Sequence, residues 1–239
     1  ADGDWSSDVC SSDLIRELRD QYGPRAIGCY IISMTQGRDD LLTVLLLARW
    51  SGLATSGSGA DLDIAPLFET VGDLEAAPEV MEQMLSDPSY RRHLADRGDR
   101  QVVMVGYSDS SKDGGLVASR WALQCAQTEL VRTGDRFGVD LTFFHGRGGT
   151  TSRGGGRIHR AILSAPRGSV RGRLRVTEQG EVIHTKYGVR STAMRTLETS
   201  LAPVLQATGV PRPFDSREPE WERVMAGIAN ASRSGYRSL

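Results

Sequence analysis

The strongest constraint on this chain is an alternation of short apolar runs with helix-patterned segments, in which three of the runs end on a chemically capable residue. Residues 25–34 (RAIGCYIISM), 62–68 (LDIAPLF), 101–107 (QVVMVGY) and 139–144 each read as a buried strand. They are short, rich in aliphatic and aromatic side chains, and bounded by polar or glycine-containing stretches. Residues 173–183 (RLRVTEQGEVI) show strand-like alternation, with Gly180 suggesting a bulge or a close approach.

Helical patterns fill the intervals. Asp39 reads as the N-cap of a helix over 40–50 that is apolar almost all round and stops at Gly52. Pro78 and Pro88 read as first-turn prolines, the second capped by Asp87. Gly114-Gly115 reads as the release into a helix over 116–133, and two more helices cover 196–207 and the stretch from Pro219 onward. Such alternation implies a parallel sheet with right-handed crossovers. Both an open doubly wound sheet and a (β/α)8 barrel satisfy it, and in both the chemistry sits at the C-terminal ends of the strands. Here those ends carry Glu69, Asp109 and His145-Gly146-Arg147.

Glu69 and Asp109 each follow an apolar run, so neighbouring strands would bring two carboxylates to one rim, a donor set for Mg²⁺ or Mn²⁺. The competing reading makes each a helix cap or loop acid. Lys112 reads equally as a charge directed at an anionic substrate and as a solvated surface lysine. The segment FFHGRGGTTSRGGG (143–156) packs six glycines around Arg147 and Arg153. It has neither the third glycine of a dinucleotide fingerprint nor the lysine of a nucleotide P-loop. Guanidinium forks grip phosphate or carboxylate in two-pronged fashion, so a mobile anion-binding loop is expected, with the Gly148 and Gly149 backbone against the anion. His145 could transfer a proton, donate a hydrogen bond to substrate, or serve structurally. His93, His159 and His184 read as incidental, and Trp50, Trp121 and Trp221 as helix packing residues.

Charge is uneven. Residues 145–195 hold 11 basic and 2 acidic side chains, a local +9 in a chain whose net charge is -1. That surplus suits a small, highly charged anion and leaves RNA open, whereas the near-neutral total offers no support for a general nucleic-acid or membrane-surface role. No apolar run approaches the roughly 20 residues of a membrane helix. Cys10, Cys29 and Cys125 are scattered, and the latter two read as buried, reduced thiols. Residues 1–14 repeat Ser-Ser-Asp and resemble translated sequencing adapter, leaving 15–239 as the native segment.

Five stretches, YIISM (30–34), APLFET (65–70), VGYSDSSKDGG (105–115), FHGRGGTTSRGGG (144–156) and LRVTEQGEVI (174–183), together resemble the phosphoenolpyruvate carboxylase family in order and spacing. The resemblance implies a partial (β/α)8, TIM-like barrel with a large helical content, Mg²⁺ or Mn²⁺ as cofactor, and a cytoplasmic homotetramer that takes neither nucleic acid nor membrane as a partner. It implies carboxylation of phosphoenolpyruvate by bicarbonate to oxaloacetate and phosphate. Matched motif to motif, Glu69 and Asp109 fall on the metal carboxylates, His145 and Arg147 on the active-site strand end with Arg147 on the phosphate. Arg153 falls on a mobile catalytic arginine that bacterial members also use to bind the inhibitor aspartate. Ser152 and Arg157 depart from the family's usual glycine and proline. Serine restricts φ and Arg157 adds charge, which bears on loop motion and on inhibitor response.

Members of the family are several times longer. Their histidine motif toward carboxyphosphate is expected upstream, and further arginines with most of the aspartate site are expected beyond Leu239. The 239 residues would therefore form about half a barrel, inactive alone and prone to associate through open strand edges. Two alternatives are a different barrel enzyme acting on phosphoenolpyruvate or pyruvate, and a non-catalytic RNA-binding module using the +9 segment.

Overall fold

The computed structural model of the chain describes residues 11–54, 57, 59–146, 158–210 and 212–238. A helix α1 (Ser11–Tyr22) leads into strand β1 (Cys29–Ile32), helix α2 (Arg38–Ala48) and a π-helical turn over Arg49–Leu53. Strand β2 (Asp63–Phe68) follows, then helices α3 (Val71–Ser86) and α4 (Pro88–Asp96), strand β3 (Arg100–Gly106) and the long helix α5 (Ser108–Phe137). Strand β4 (Asp140–Gly146), helix α6 (Ile158–Leu163), the two-residue strand β5 (Arg175–Val176) and helices α7 (Gly180–Tyr187), α8 (Arg190–Gly209) and α9 (Glu218–Arg237) complete it.

The five strands form one sheet in sequence order, every neighbouring pair parallel. Alternation along the strands gives the sheet two distinct faces. Val103, Val105, Leu141 and Phe143 are buried in one cluster with Leu74, Met81, Ala126 and Leu130 of α3 and α5. The other face, carrying Thr142 and Phe144, is partly open. There the Arg175 guanidinium lies 4.5 Å from the centroid of the Phe144 ring. The same guanidinium comes within 3.0 Å of where a Cβ would stand on Gly28, just before β1. A side chain from one edge strand thus reaches the other edge, so the sheet is strongly curled around this open face.

Several local expectations are corrected. The N-cap of α2 is Gly37; Asp40, not Asp39, closes the turn, accepting from the Gln36 and Gly37 N–H groups. Pro78 lies inside α3, which starts earlier because Thr70 caps it by accepting from Asp73 N while Asp73 reaches back to Thr70 N. Pro88 does occupy a first turn, with Asp87 accepting from Ser89 N and Tyr90 N. The helix expected from 116 does start there, because Gly115, at φ 76° and ψ 168°, leaves the helical path; a separate helical stretch over 108–114 precedes it, and α5 is the two joined at that glycine. The strand expected over 173–183 shrinks to two residues, and Gly180 opens α7 instead of forming a bulge. Trp50 is 75% exposed and Trp221 half-exposed, so neither is a core packing residue. Cys29 is partly buried and Cys125 exposed, both free, while His93 is fully buried rather than incidental.

Candidate active site

Parallel strands bring all C-terminal ends to one rim. Glu69 directly follows β2, and the β2–β3 register (Phe68 opposite Val105) sets it beside Gly106. The fit is close: a Cβ on Gly106 would lie 3.1 Å from Glu69 Cα and 3.3 Å from Cγ. Only a residue without a side chain lets the glutamate lie over the end of β3. Its Oε2 accepts from the Met34 N–H at 3.1 Å, joining the turn after β1 to the end of β2. Thr35 supports this turn, its Oγ1 donating to Ile32 O and accepting from Leu67 N.

Asp109 stands in the first turn of α5, where the helix dipole favours a carboxylate. Its Oδ1 pairs with Lys112 Nζ at 2.9 Å, both side chains well exposed. The lysine expected to meet substrate therefore pairs with the carboxylate expected to meet metal. Asp113, one residue on, has a different task. It accepts from Val71 N at 3.2 Å and from Arg237 at 2.8 Å, with Arg233 at 3.6 Å, so it fastens the start of α3 and the end of α9 to the start of α5. The Arg237 hydrogen bond, with help from Val71 N–H and Arg233, holds its carboxyl below the usual range.

His145 lies opposite Val105 in the β3–β4 register and is 8% exposed. By alternation it shares the helix-packed face with Phe143 and Leu141, and a Cβ on Gly134 of α5 would clash with Leu141 at 2.7 Å, which identifies that face. Glu69, beside Gly106, is on the other one. The imidazole Nδ1 is 2.8 Å from Tyr107 Oη, and the guanidinium of Arg120 sits 4.9 Å from the centre of the tyrosine ring. Of the positions singled out in the sequence, Glu69 follows β2 while Asp109 and Lys112 lie in the first turns after β3, and the His145 side chain is buried on the face opposite Glu69. Arg147, Gly148, Gly149, Ser152, Arg153 and Arg157 lie outside the described residues.

The arginines that give 145–195 its charge are partly neutralised by acids from elsewhere. Arg171 pairs with Asp135 at 2.6 Å, Arg173 with Asp140 at 2.8 Å, and Arg167 with Glu218. These pairs break up the continuous basic surface an RNA module would present.

The family model for phosphoenolpyruvate carboxylase matches residues 7–239. The chain belongs to the phosphoenolpyruvate carboxylase family. It is 54% identical over 225 residues to phosphoenolpyruvate carboxylase of Xanthomonas euvesicatoria pv. vesicatoria (strain 85-10), covering 94% of this chain and 25% of that protein. Against the enzyme of Gloeobacter violaceus (strain ATCC 29082 / PCC 7421) the identity is 45% over 228 residues, 95% of this chain and 24% of the relative. Phosphoenolpyruvate carboxylase 2 of Chlamydomonas reinhardtii is 43% identical over 251 residues, 98% and 20% respectively. The chain spans between a fifth and a quarter of the length of these curated relatives. The comparisons favour neither the other barrel enzyme nor the RNA-binding module.

Among the described residues no three His, Cys, Asp or Glu side chains converge as a complete metal cage. Glu69 and Asp109 come just after two adjoining strands, and carboxylates are the donor type a hard divalent ion takes alongside oxygens from water and substrate. Sequence reasoning missed the Tyr107–His145 pair, the Asp113 clamp and the Glu69–Met34 link. Tyr107 and Asp113 lie within the VGYSDSSKDGG stretch, where Tyr107 falls two positions past Val105 on the face that alternation assigns to the core. The third depends on Met34 adopting φ 52°, which no residue type there announces.

Proposed function

We propose that this chain supplies the carboxylate rim and the phosphate-gripping arm of an enzyme that carboxylates phosphoenolpyruvate with bicarbonate, yielding oxaloacetate and phosphate. The observation that carries the reading is the emergence of Glu69 and Asp109 from the C-terminal ends of two adjacent parallel strands in a chain of this family. The strand order supports a (β/α)8 barrel over a doubly wound sheet, because a doubly wound sheet reverses its order at a switch point and this one does not. The reach of Arg175 to Gly28 across the open face supports the same choice.

In this reading Glu69 and Asp109 hold Mg²⁺ or Mn²⁺, which when bound offsets negative charge on substrate oxygens. The residues of the chain do the rest. Arg147 binds the phosphoryl group by a two-pronged grip, with the Gly148 and Gly149 N–H groups beside it, and Arg153 closes over the site as the glycine-rich segment moves. Lys112, paired with Asp109, would turn its ammonium to the anionic substrate if that carboxylate held the ion. Bicarbonate oxygen attacks phosphorus as the bond to the enol oxygen breaks, giving carboxyphosphate and the enolate of pyruvate, and the arginines offset the charge that spreads over the phosphoryl oxygens. Carboxyphosphate then splits into carbon dioxide and phosphate, the bicarbonate proton leaving on the phosphate. Closure excludes water, so the enolate carbon meets carbon dioxide before it meets a proton. His145 acts from behind the rim, holding the end of β4 from which Arg147 departs. The family resemblance carries the remaining parts: a cytoplasmic homotetramer without nucleic-acid or membrane partners. Among the described residues no helix is long and apolar enough to cross a membrane.

The test is a chimera in which residues 15–239 replace the matching segment of the Xanthomonas euvesicatoria relative. Oxaloacetate formation dependent on phosphoenolpyruvate, bicarbonate and Mn²⁺ is expected, with loss of at least 100-fold in Glu69→Gln or Asp109→Asn, as roughly expected from removing one preorganised charge at a transition state. A chimera with full activity in both variants would refute the assignment. Steeply salt-dependent RNA binding by the isolated chain at micromolar concentration, with no Mn²⁺-dependent binding of phosphoenolpyruvate, would favour the non-catalytic module instead.

A further inference from the structure

We infer that Tyr107 is a positioning residue. Through its hydrogen bond to His145 it locks the helix turn that carries Asp109 to the strand end that carries Arg147, and His145 itself serves this lock and not proton transfer. The inference rests on the carboxylase reading above for its functional meaning, but its geometry stands independently.

Tyr107 is the last residue before α5 and Asp109 is two positions further on, so the tyrosine side chain is rooted at the base of the Asp109 turn. His145 is the penultimate residue of β4, two before Arg147. Its backbone is already held on both sides, paired with Val105 on β3 and accepting from Thr177 N at 3.0 Å beyond β5. The 2.8 Å contact from Tyr107 Oη to Nδ1 adds the missing tie, from strand end to helix start. Both side chains are more than nine-tenths buried on the face packed by α3 and α5, with Glu69 on the opposite face. A general acid or base must reach the substrate proton directly or through one water. An imidazole on the far side of the sheet from the rim glutamate does not meet that requirement, whereas a buried hydrogen bond between two elements suits a rigid brace.

The direction of the bond follows from the surroundings. The Arg120 guanidinium over the tyrosine ring draws electron density from it, which strengthens the hydroxyl as a donor. Tyr107 then donates to Nδ1, and the neutral ring carries its proton on Nε2. The hydrogen bond also selects one of the two ring orientations that χ2 would otherwise allow.

The experiment compares Tyr107→Phe, His145→Gln and His145→Leu in the chimera, with kcat and KM measured separately. Glutamine can still accept from the tyrosine hydroxyl but cannot carry a proton as imidazole does. A brace requires that His145→Gln retain kcat within a fewfold, while Tyr107→Phe and His145→Leu raise KM for phosphoenolpyruvate about five- to tenfold, the effect of one net hydrogen bond. It also requires the double change Tyr107→Phe/His145→Leu to be no worse than either single change. If His145→Gln lowers kcat 100-fold or more with KM unchanged, imidazole proton transfer is at work and the inference is wrong. Additive losses in the double variant overturn it equally. A chimera without any carboxylase activity would instead defeat the functional reading. The lock would then be decided by the same double-variant comparison made on thermal unfolding of the 239-residue chain, together with the ¹⁵N signature of the His145 tautomer. Coupled losses and a proton on Nε2 uphold the lock, and additive losses or a proton on Nδ1 reject it.

Discussion

The carboxylate of Glu69 accepts a hydrogen bond from the backbone N–H of Met34, 3.1 Å away, at a residue whose own φ is 52°. The glutamate thereby holds the turn after β1 in a left-handed conformation, which is unfavourable for methionine, and in the proposed function it would also hold the metal ion. Glu69→Gln separates the roles. The amide oxygen can still accept from Met34, so thermal stability should fall by no more than a few degrees. The lost charge should remove Mn²⁺ binding, read by electron paramagnetic resonance titration. Retention of wild-type Mn²⁺ affinity would dismiss Glu69 as a ligand.

Asp113 binds Val71 N, Arg237 and Arg233 at once, so α9 docks on α5 through a carboxylate. Because its folded pKa is depressed, chiefly by the Arg237 hydrogen bond, its contribution is complete above the ordinary carboxyl value near 4 and fades as pH falls through the lower folded value. Asp113→Asn should lower stability at pH 7 by about 1–2 kcal/mol and flatten the stability profile below pH 4. Denaturant unfolding at a series of pH values reads this, and a variant as stable as the parent at pH 7 would show that the arginines find other partners.

The strand alternation, the rim and the order of elements were legible because burial imposes a period on sequence, and β2, β3 and β4 lie within a residue or two of where that period puts them. Boundaries failed where capping overrode composition. Thr70 and Asp73 start α3 seven residues before Pro78, and the short helical stretch ahead of Gly115 opens with Ser108-Asp109-Ser110-Ser111, polar residues with no apolar stripe to announce it, whereas the stretch from 116 was announced by the glycine pair. The extended run after Arg173 failed because alternation alone cannot tell a strand from a short amphipathic helix when only Arg175 and Val176 find a neighbouring strand. Glu69 and Asp109 could be named from position alone. The face of His145 could not, since it depends on register with β3, and register is a property of two strands together.

Two glycines make the packing argument quantitative. Gly134 faces β4, where an added Cβ would lie 2.7 Å from Leu141 Cγ and 3.0 Å from the Val139 carbonyl oxygen. Gly134→Ala should therefore destabilise by about 1–3 kcal/mol, since backbone cannot retreat as a flexible side chain can. Gly227, inside α9, has nothing within 4 Å of its added Cβ. There Gly227→Ala should stabilise by about 0.5–1 kcal/mol through helix propensity. Opposite signs from one chemical change, read by urea unfolding, test the approach of α5 to β4; equal signs would mean that helix and strand stand further apart.

His93 gives the fold a pH dependence that does not involve the rim. Its ring is 1% exposed between α4 and the segment before β2, and Nδ1 accepts from the Ala60 N–H at 3.2 Å. Burial, reinforced by the nearby Arg97 guanidinium, lowers its pKa to about 4. In the unfolded chain the ring titrates near 6.5, so between these values the unfolded state binds the extra proton. The contribution is therefore complete above pH 6.5 and is lost as pH falls toward 4, by roughly 2 kcal/mol at pH 5. His93→Gln keeps an acceptor for Ala60 N and cannot take up a proton, so its stability should change far less between pH 7 and pH 5 even if it is lower throughout. Parallel urea titrations of both proteins at the two pH values give the comparison directly. An equal loss in parent and variant would assign the acid sensitivity to other groups.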